Sequence, residues 1–268
     1  MNKPYIGVTG IEESSQLEGM LETFSKKHIA PHSLMVGGIV SYKTLIDEKD
    51  KPILLTRNEI GRIFERLEGM PSTDVLFALH YFTKPLKEIR PELQQKAKNV
   101  VEKPLHQQVG SLVEDVYARY EREQPPFQIG VQINVSWPEP RDVNQIKIDY
   151  PKLKTILQVS DFDSVDERMG KYNVDYALID ASRGEGKEID MDKAVSVHDA
   201  ISEKSKVMIG FAGGFSPENV NDRIWSLRYD LGTRNFCVDA QGKLRTEDRL
   251  DMSKVSKYLN EALDAFQG

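Results

Sequence analysis

Gly213 and Gly214 stand where an apolar run, 206–213, hands over to a helical pattern that opens with Ser216 and Pro217. Without Cβ atoms, such a pair lets a bulky anion approach the backbone closely. Ser216 suits a helix N-cap and Pro217 the first helical position. The amides and positive dipole end of the helix can then face the anion. A neighbouring stretch, "VDAQGK" at 238–243, offers Gly242 and Lys243. The chemistry is the grip of a phosphate group; the plainer alternative is a tight turn. Asp180 closes another apolar run and precedes "SRGEGK", a loop with two glycines, Arg183 and Lys187. A carboxylate at a strand end serves as a general acid where burial raises its pKa, or simply caps a turn. The loop is not a nucleotide phosphate loop, because G-x-x-x-x-G-K-[ST] is absent.

The elements that must position these residues repeat along the chain. Eight short apolar runs occur at 5–11, 33–40, 75–82, 127–135, 154–160, 175–181, 206–213 and 235–241. They are near-continuous rather than alternating, as strands buried on both faces are. Between them lie stripes of helical period. Leu17, Met20, Leu21 and Phe24 make one, and Ile60, Ile63, Phe64 and Leu67 another. Val109 to Tyr120 carries a third. Met191, Ala194, Val195, His198 and Ile201 form the next, then Val220, Ile224, Leu227 and Leu231, then Met252 to Phe266. Each stripe can bury one helix face on a sheet. Eight such units predict an α/β fold, a (β/α)8 TIM barrel, as a single domain over 1–268. Insertions are expected near 41–56, as a hairpin, and near 83–107, with a helical turn. The prolines of 136–151 argue against a long helix there.

In such a barrel chemistry sits at the C-terminal strand ends. That selects Thr9, His80, Asn134, Ser160, Asp180, Gly213, Gly214 and Asp239 for inspection. The loops after strands seven and eight, which hold the glycines, are the usual phosphate site of the fold.

Bulk properties exclude other classes. The net charge of −6 leaves no basic face for nucleic acid. No apolar run of about 18 residues spans a membrane. The beginning of the chain lacks a secretory h-region, so a cytoplasmic protein is expected. A mean hydropathy of −0.48 suits a globular chain. The one cysteine, Cys237, forms no internal disulfide, and the five histidines show no metal-ligand spacing, so no metal is expected.

Taken in order, the second half resembles the phosphoribosylanthranilate isomerase family of tryptophan biosynthesis. "KTILQVS" resembles its fifth strand. "ALIDASRGEGKEIDM" resembles its Leu-Leu-Asp run followed by a Gly-x-Gly-Lys loop. "FAGGFSPENV" resembles its Gly-Gly-Leu-x-Pro-Glu-Asn-Val run, and "CVDAQGK" its Val-Asp-Val-Ser-Ser-Gly run. The resemblance implies an Amadori rearrangement, an aldose–ketose isomerisation of a phosphorylated sugar amine that needs no cofactor, in a monomer or homodimer. It implies Asp180 as the acid that opens the sugar ring. Backbone groups of Gly213, Gly214, Ala240 and Gln241, with Gly242 beside them, would hold the phosphate, and Arg183 would stand in the mobile loop.

The first half departs from the family. Its Cys-Gly-Ile run, whose cysteine is the base, becomes "VTGI", with Thr9 in the cysteine's place. A thiol titrates near pH 8.5 and supplies thiolate; a threonine hydroxyl has no comparable titration. Other candidates for the base are His80, which can equally be a polar core residue, and Glu12. Glu13 and Glu185 are further carboxylates in reach of the mouth. Asn134 replaces the family's fourth-strand histidine, and Lys43 stands near the place of an arginine at the substrate. A phosphorylated sugar or sugar amine with altered chemistry is expected; the alternative is a non-catalytic phosphate-ligand sensor or scaffold that has lost its base.

Overall fold

Each of the eight apolar runs forms a strand. In the computed structural model, which describes residues 2–27, 31–70, 74–180 and 190–268, these are β1 (Tyr5–Thr9), β2 (Ser33–Ser41), β3 (Val75–Phe82), β4 (Gln128–Ile133), β5 (Lys154–Val159), β6 (Tyr176–Ile179), β7 (Met208–Ala212) and β8 (Cys237–Ala240). All are parallel, each pairs with the next, and β8 returns to β1, so the sheet closes into an eight-stranded barrel. Closure leaves no exposed edge and brings all eight C-terminal strand ends to one mouth.

The helices are α1 (Gln16–Lys27), α2 (Tyr42–Leu45), α3 (Arg57–Glu68), α4 (Pro91–Val101), α5 (Leu105–Glu123), α6 (Pro140–Asp149), α7 (Val165–Arg168), α8 (Met191–Lys204), α9 (Val220–Leu231) and α10 (Met252–Gln267). Local chemistry sets their starts. Thr56 and Glu59 form a reciprocal capping box at α3. Asp190 accepts from the Lys193 amide at α8, and Asp251 from the Ser253 and Lys254 amides at α10. Pro91 and Pro140 occupy first helical positions, where a missing N–H costs nothing. Of the prolines of 136–151, Pro140 starts α6, which runs for ten residues and ends before Pro151.

Two cores result. The larger lies between the sheet and the helices, where Ile60, Ile63, Phe64, Val220, Ile224, Leu227, Leu259 and Leu263 are buried. The smaller fills the barrel interior with Tyr5, Met35, Leu76, Ala78, Ile156, Tyr176, Leu178, Ala212 and Cys237. The stripe expected on α8 is rotated: Val197 is buried with Ala194 and Ile201, while Val195 and His198 are half-buried.

The two long connections differ from expectation in form. No hairpin occurs at 41–56. One turn of helix, α2, starts where Ser41 and Thr44 cap each other, and the chain returns through a single bridge from Leu54 to Ile39. The 83–107 connection carries all of α4, which packs Leu93 and Ala97 with Tyr42 and Ile89 as a satellite cluster. A hairpin does appear after β8, as β9 (Arg245–Thr246) and β10 (Arg249–Leu250). Its two central residues, Glu247 and Asp248, both take positive φ, the geometry of tight hairpin turns.

Candidate active site

The loops after β7 and β8 meet at the barrel mouth. Gly213 (φ 105°) and Gly214 (φ 70°) occupy backbone conformations that strain any side-chain-bearing residue. Asn219 staples this loop: its Oδ1 accepts from the Ser216 amide at 2.8 Å and its Nδ2 donates to the Gly214 carbonyl at 2.9 Å. Arg223, from the first turn of α9, donates to the Gly213 carbonyl at 3.0 Å and lies over the Phe215 ring. The helix itself begins at Val220. Ser216 caps the turn before it, accepting from the Glu218 amide at 3.2 Å. Ser216 and Pro217 thus precede the helix rather than open it, because the Asn219 side chain draws residues 216–219 into a separate turn.

Gly213, Gly214 and Phe215 line one cavity of about 40 Å³ together with Ala240, Gln241, Gly242 and Lys243. The remaining wall is polar and deep: His80, Gln132, Asn134, Asp180 and Asp239, over a floor of Leu178 and Ala212. The cavity is therefore lined both by the loops after β7 and β8, including Lys243, and by two aspartates. Asn134 and Gln241 also border an adjoining compartment of about 310 Å³, completed by Ile39, Phe82, Val135, Ser136, Gln158 and Ser160.

Glycines on the first two strands make the polar layer possible. A Cβ on Gly7 would lie 2.6 Å from Asp239 Oδ1, and one on Gly37 would lie 2.5 Å from Thr9 Oγ1 and 2.7 Å from His80 Nε2. The carboxylate, hydroxyl and imidazole occupy the space that side chains on β1 and β2 would otherwise fill. Asp239 accepts from Thr9 Oγ1 at 2.9 and 3.0 Å. Burial, reinforced by the nearby Asp180 charge, pushes its carboxyl up to about 7 against the Thr9 hydrogen bond. Burial alone pushes His80 down to about 3, so the imidazole is neutral. Its Nε2 and the Oε1 of Gln132 are buried atoms with no hydrogen-bond partner among the described residues. Such atoms at a cavity wall are suited to a bound polar ligand. Asp180 Oδ2 accepts from Gln158 Nε2 at 2.7 Å.

The sequence profile of N-(5′-phosphoribosyl)anthranilate (PRA) isomerase matches residues 90–261. The chain belongs to this family. The matched stretch carries both glycine loops, Asp180 and Asp239; Thr9, Lys43 and His80 lie outside it. Among solved structures, PRA isomerase from Pyrococcus furiosus is 14% identical with a TM-score of 0.53, covering 97% of this chain and 99% of that one. PRA isomerase from Thermococcus kodakaraensis is 15% identical with a TM-score of 0.51, covering 97% and 98%. Tryptophan synthase subunit alpha from Legionella pneumophila is 10% identical with a TM-score of 0.56, covering 99% and 93%. At these identities the likeness is one of fold. No curated protein matches the chain.

Of the residues expected from sequence, Asp180, His80, Asn134, Gly213, Gly214, Ala240, Gln241 and Gly242 all line the smaller cavity. Three others serve differently. Glu12 is buried but faces away from the cavity. It pairs with Arg245, accepts from Arg249 at 3.3 Å and from the Leu250 amide at 3.1 Å, and so anchors the β9–β10 hairpin. Lys43 is absent from both cavity walls, its ammonium paired with Asp50. Thr9 is fully buried and gives its hydroxyl to Asp239. Arg183 and Glu185 lie outside the described residues. Cys237 is buried, accepts from the Tyr5 amide at 3.3 Å, and burial pushes its thiol well above the usual range. Sequence reasoning passed over Gln132 and Gln158, and it selected Asp239 as a strand end without giving it a role. An aspartate in the apolar run 235–241 was the available signal, since a buried carboxylate is costly without a role.

Proposed function

We propose that the protein is an isomerase of a phosphorylated sugar amine, with Asp180 as general acid. What carries this reading is one cavity lined by two aspartates and two glycine loops. The phosphate sits against the backbones of Gly213, Gly214, Ala240, Gln241 and Gly242, with Lys243 balancing its charge. The sugar then lies over Asp180, and the amine's substituent occupies the larger compartment. Asp180 gives its proton to the ring oxygen as the C1′–O bond breaks, and the nitrogen lone pair closes a Schiff base to C1′. Loss of the C2′ proton gives an enolamine, which tautomerises to the 1-deoxy-2-ketose. Family membership and the retained loops support the reading.

The test is turnover by the purified protein of N-(5-phosphoribosyl)anthranilate and of neutral arylamine analogues. The analogues matter because no charged side chain lines the larger compartment among the described residues. Asp180→Asn is expected to lower kcat about 10²–10⁴-fold with little change in KM. Unchanged turnover in that variant would remove Asp180 from the mechanism. Thr9 in place of the family's cysteine favours a second reading, a phosphate-ligand sensor. Saturable binding of a phosphoribosyl amine with no product from any analogue would establish it.

A further inference from the structure

The family's thiol base is missing, yet a proton acceptor stands one hydrogen bond from its place. Thr9 Oγ1 donates to Asp239 at 2.9 and 3.0 Å. The carboxylate reaches across from β8 because Gly7 leaves β1 bare beneath it. It lines the same cavity as Asp180, Lys243 and the glycine loops. The groups around it come from every side. Thr9 and Tyr5 belong to β1, His80 to β3, Asp180 follows β6, Cys237 belongs to β8, Lys243 follows it, and Tyr258 belongs to α10. Burial keeps Tyr5, Tyr258 and Cys237 protonated and His80 unprotonated through the neutral range. Asp180 and Lys243 are the other ionisable residues on the cavity wall that Asp239 shares.

We propose that Asp239, oriented by Thr9, is the base that removes the proton from C2′ of the Schiff base; this rests on the isomerase reading above. The C2′–H bond breaks, its proton passes to the Asp239 carboxylate, and its electron pair forms the C1′=C2′ bond as the C1′=N π electrons return to nitrogen. The enolamine then loses its O2′ proton, which returns through solvent to Asp180, while C1′ takes a proton back from Asp239, so both carboxyl groups recover their starting states. An ordinary carboxylate is a weak acceptor for a carbon-bound proton. Burial moves this one to about 7, close to the thiol it replaces and near the pH at which it must work. Thr9 is a positioning residue: its hydrogen bond holds the carboxylate and favours the ionised form.

The experiment compares wild type, Asp239→Asn, Thr9→Val and the double variant Thr9→Cys/Asp239→Asn on a substrate that wild type turns over. Substrate deuterated at C2′ is used in parallel. Asp239→Asn is expected to lose about 10²–10⁴-fold in kcat with KM nearly unchanged. Wild-type kcat/KM should rise with pH through a limb near 7. Thr9→Val, which keeps the carboxylate, should move that limb to higher pH. Thr9→Cys/Asp239→Asn should recover part of the lost rate through the restored thiol, with its limb nearer that of a thiol. Wild-type turnover that survives Asp239→Asn, or a limb near 7 that falls with pH, overturns the assignment and leaves the isomerase reading standing. Absence of wild-type turnover on every sugar amine overturns both. Should Asp239→Asn fail to fold, the limb in Thr9→Val decides alone: an unmoved limb refutes the proposal.

Discussion

Asp239→Asn tests the electrostatics of the cavity without reference to any substrate. The folded protein holds the Asp239 proton up to about pH 7, against an ordinary value of 3.8. Between those values the unfolded chain has released that proton and the folded one has not. Stability therefore declines as pH rises through this window. At about 1.4 kcal/mol per pH unit, the interval corresponds to about 4 kcal/mol. Asparagine cannot ionise and still accepts from Thr9, so the variant escapes this decline. Urea unfolding from pH 4 to 8.5 measures both proteins. The stability of Asp239→Asn relative to wild type should rise by about 4 kcal/mol across the series and level off above pH 7. Every other titrating group is shared and cancels, except for coupling to Asp180. That coupling is read by repeating the series in Asp180→Asn, where the rise should be smaller. A flat difference, or one that grows toward acid pH, refutes the claim that this carboxylate is desolvated.

Further expectations concern the same layer and its supports. His80 is held neutral, down to about 3, so the unfolded chain takes up the proton first as pH falls below about 6.5; acid unfolding of wild type should begin earlier than that of His80→Gln, as followed by circular dichroism. Glu12→Gln removes the carboxylate that pairs with the largely buried Arg245 guanidinium, and thermal or urea melts should show a cost of about 3 kcal/mol, with kcat close to wild type because Glu12 is not on the cavity wall. Gly37→Ala places a methyl 2.5 Å from Thr9 Oγ1 and 2.7 Å from His80 Nε2; a destabilisation of about 1–3 kcal/mol is expected, and unaltered stability would show that the layer is loosely packed.

Much of the fold was legible because its signals are local. A strand buried on both faces must be apolar along its length, and 75–82 and 128–133 read that way before any contact is known. The helix faces at 60–67 and 220–227 carry their period in the sequence. The glycine loops were legible for a similar reason: a positive φ at Gly213 and Gly214 is a local demand. Where expectation and structure part, a remote contact decides. The hairpin at 245–250 and the fate of Glu12 depend on one another across more than two hundred residues, and neither stretch announces the other. The α8 face turned toward Val197 because the neighbouring helices and strands, not the helix alone, choose which side is covered.

The candidate site divides along the same line. Residue types and their order determined the strand ends at which a phosphate grip and an acid would stand, since loop glycines and a strand-terminal aspartate act through their own backbone positions. Barrel closure alone set Asp239 on Thr9, because β8 meets β1 only after seven other strands are in place. The basicity of that carboxylate is likewise a tertiary property: it arises from exclusion of water by side chains drawn from distant parts of the chain.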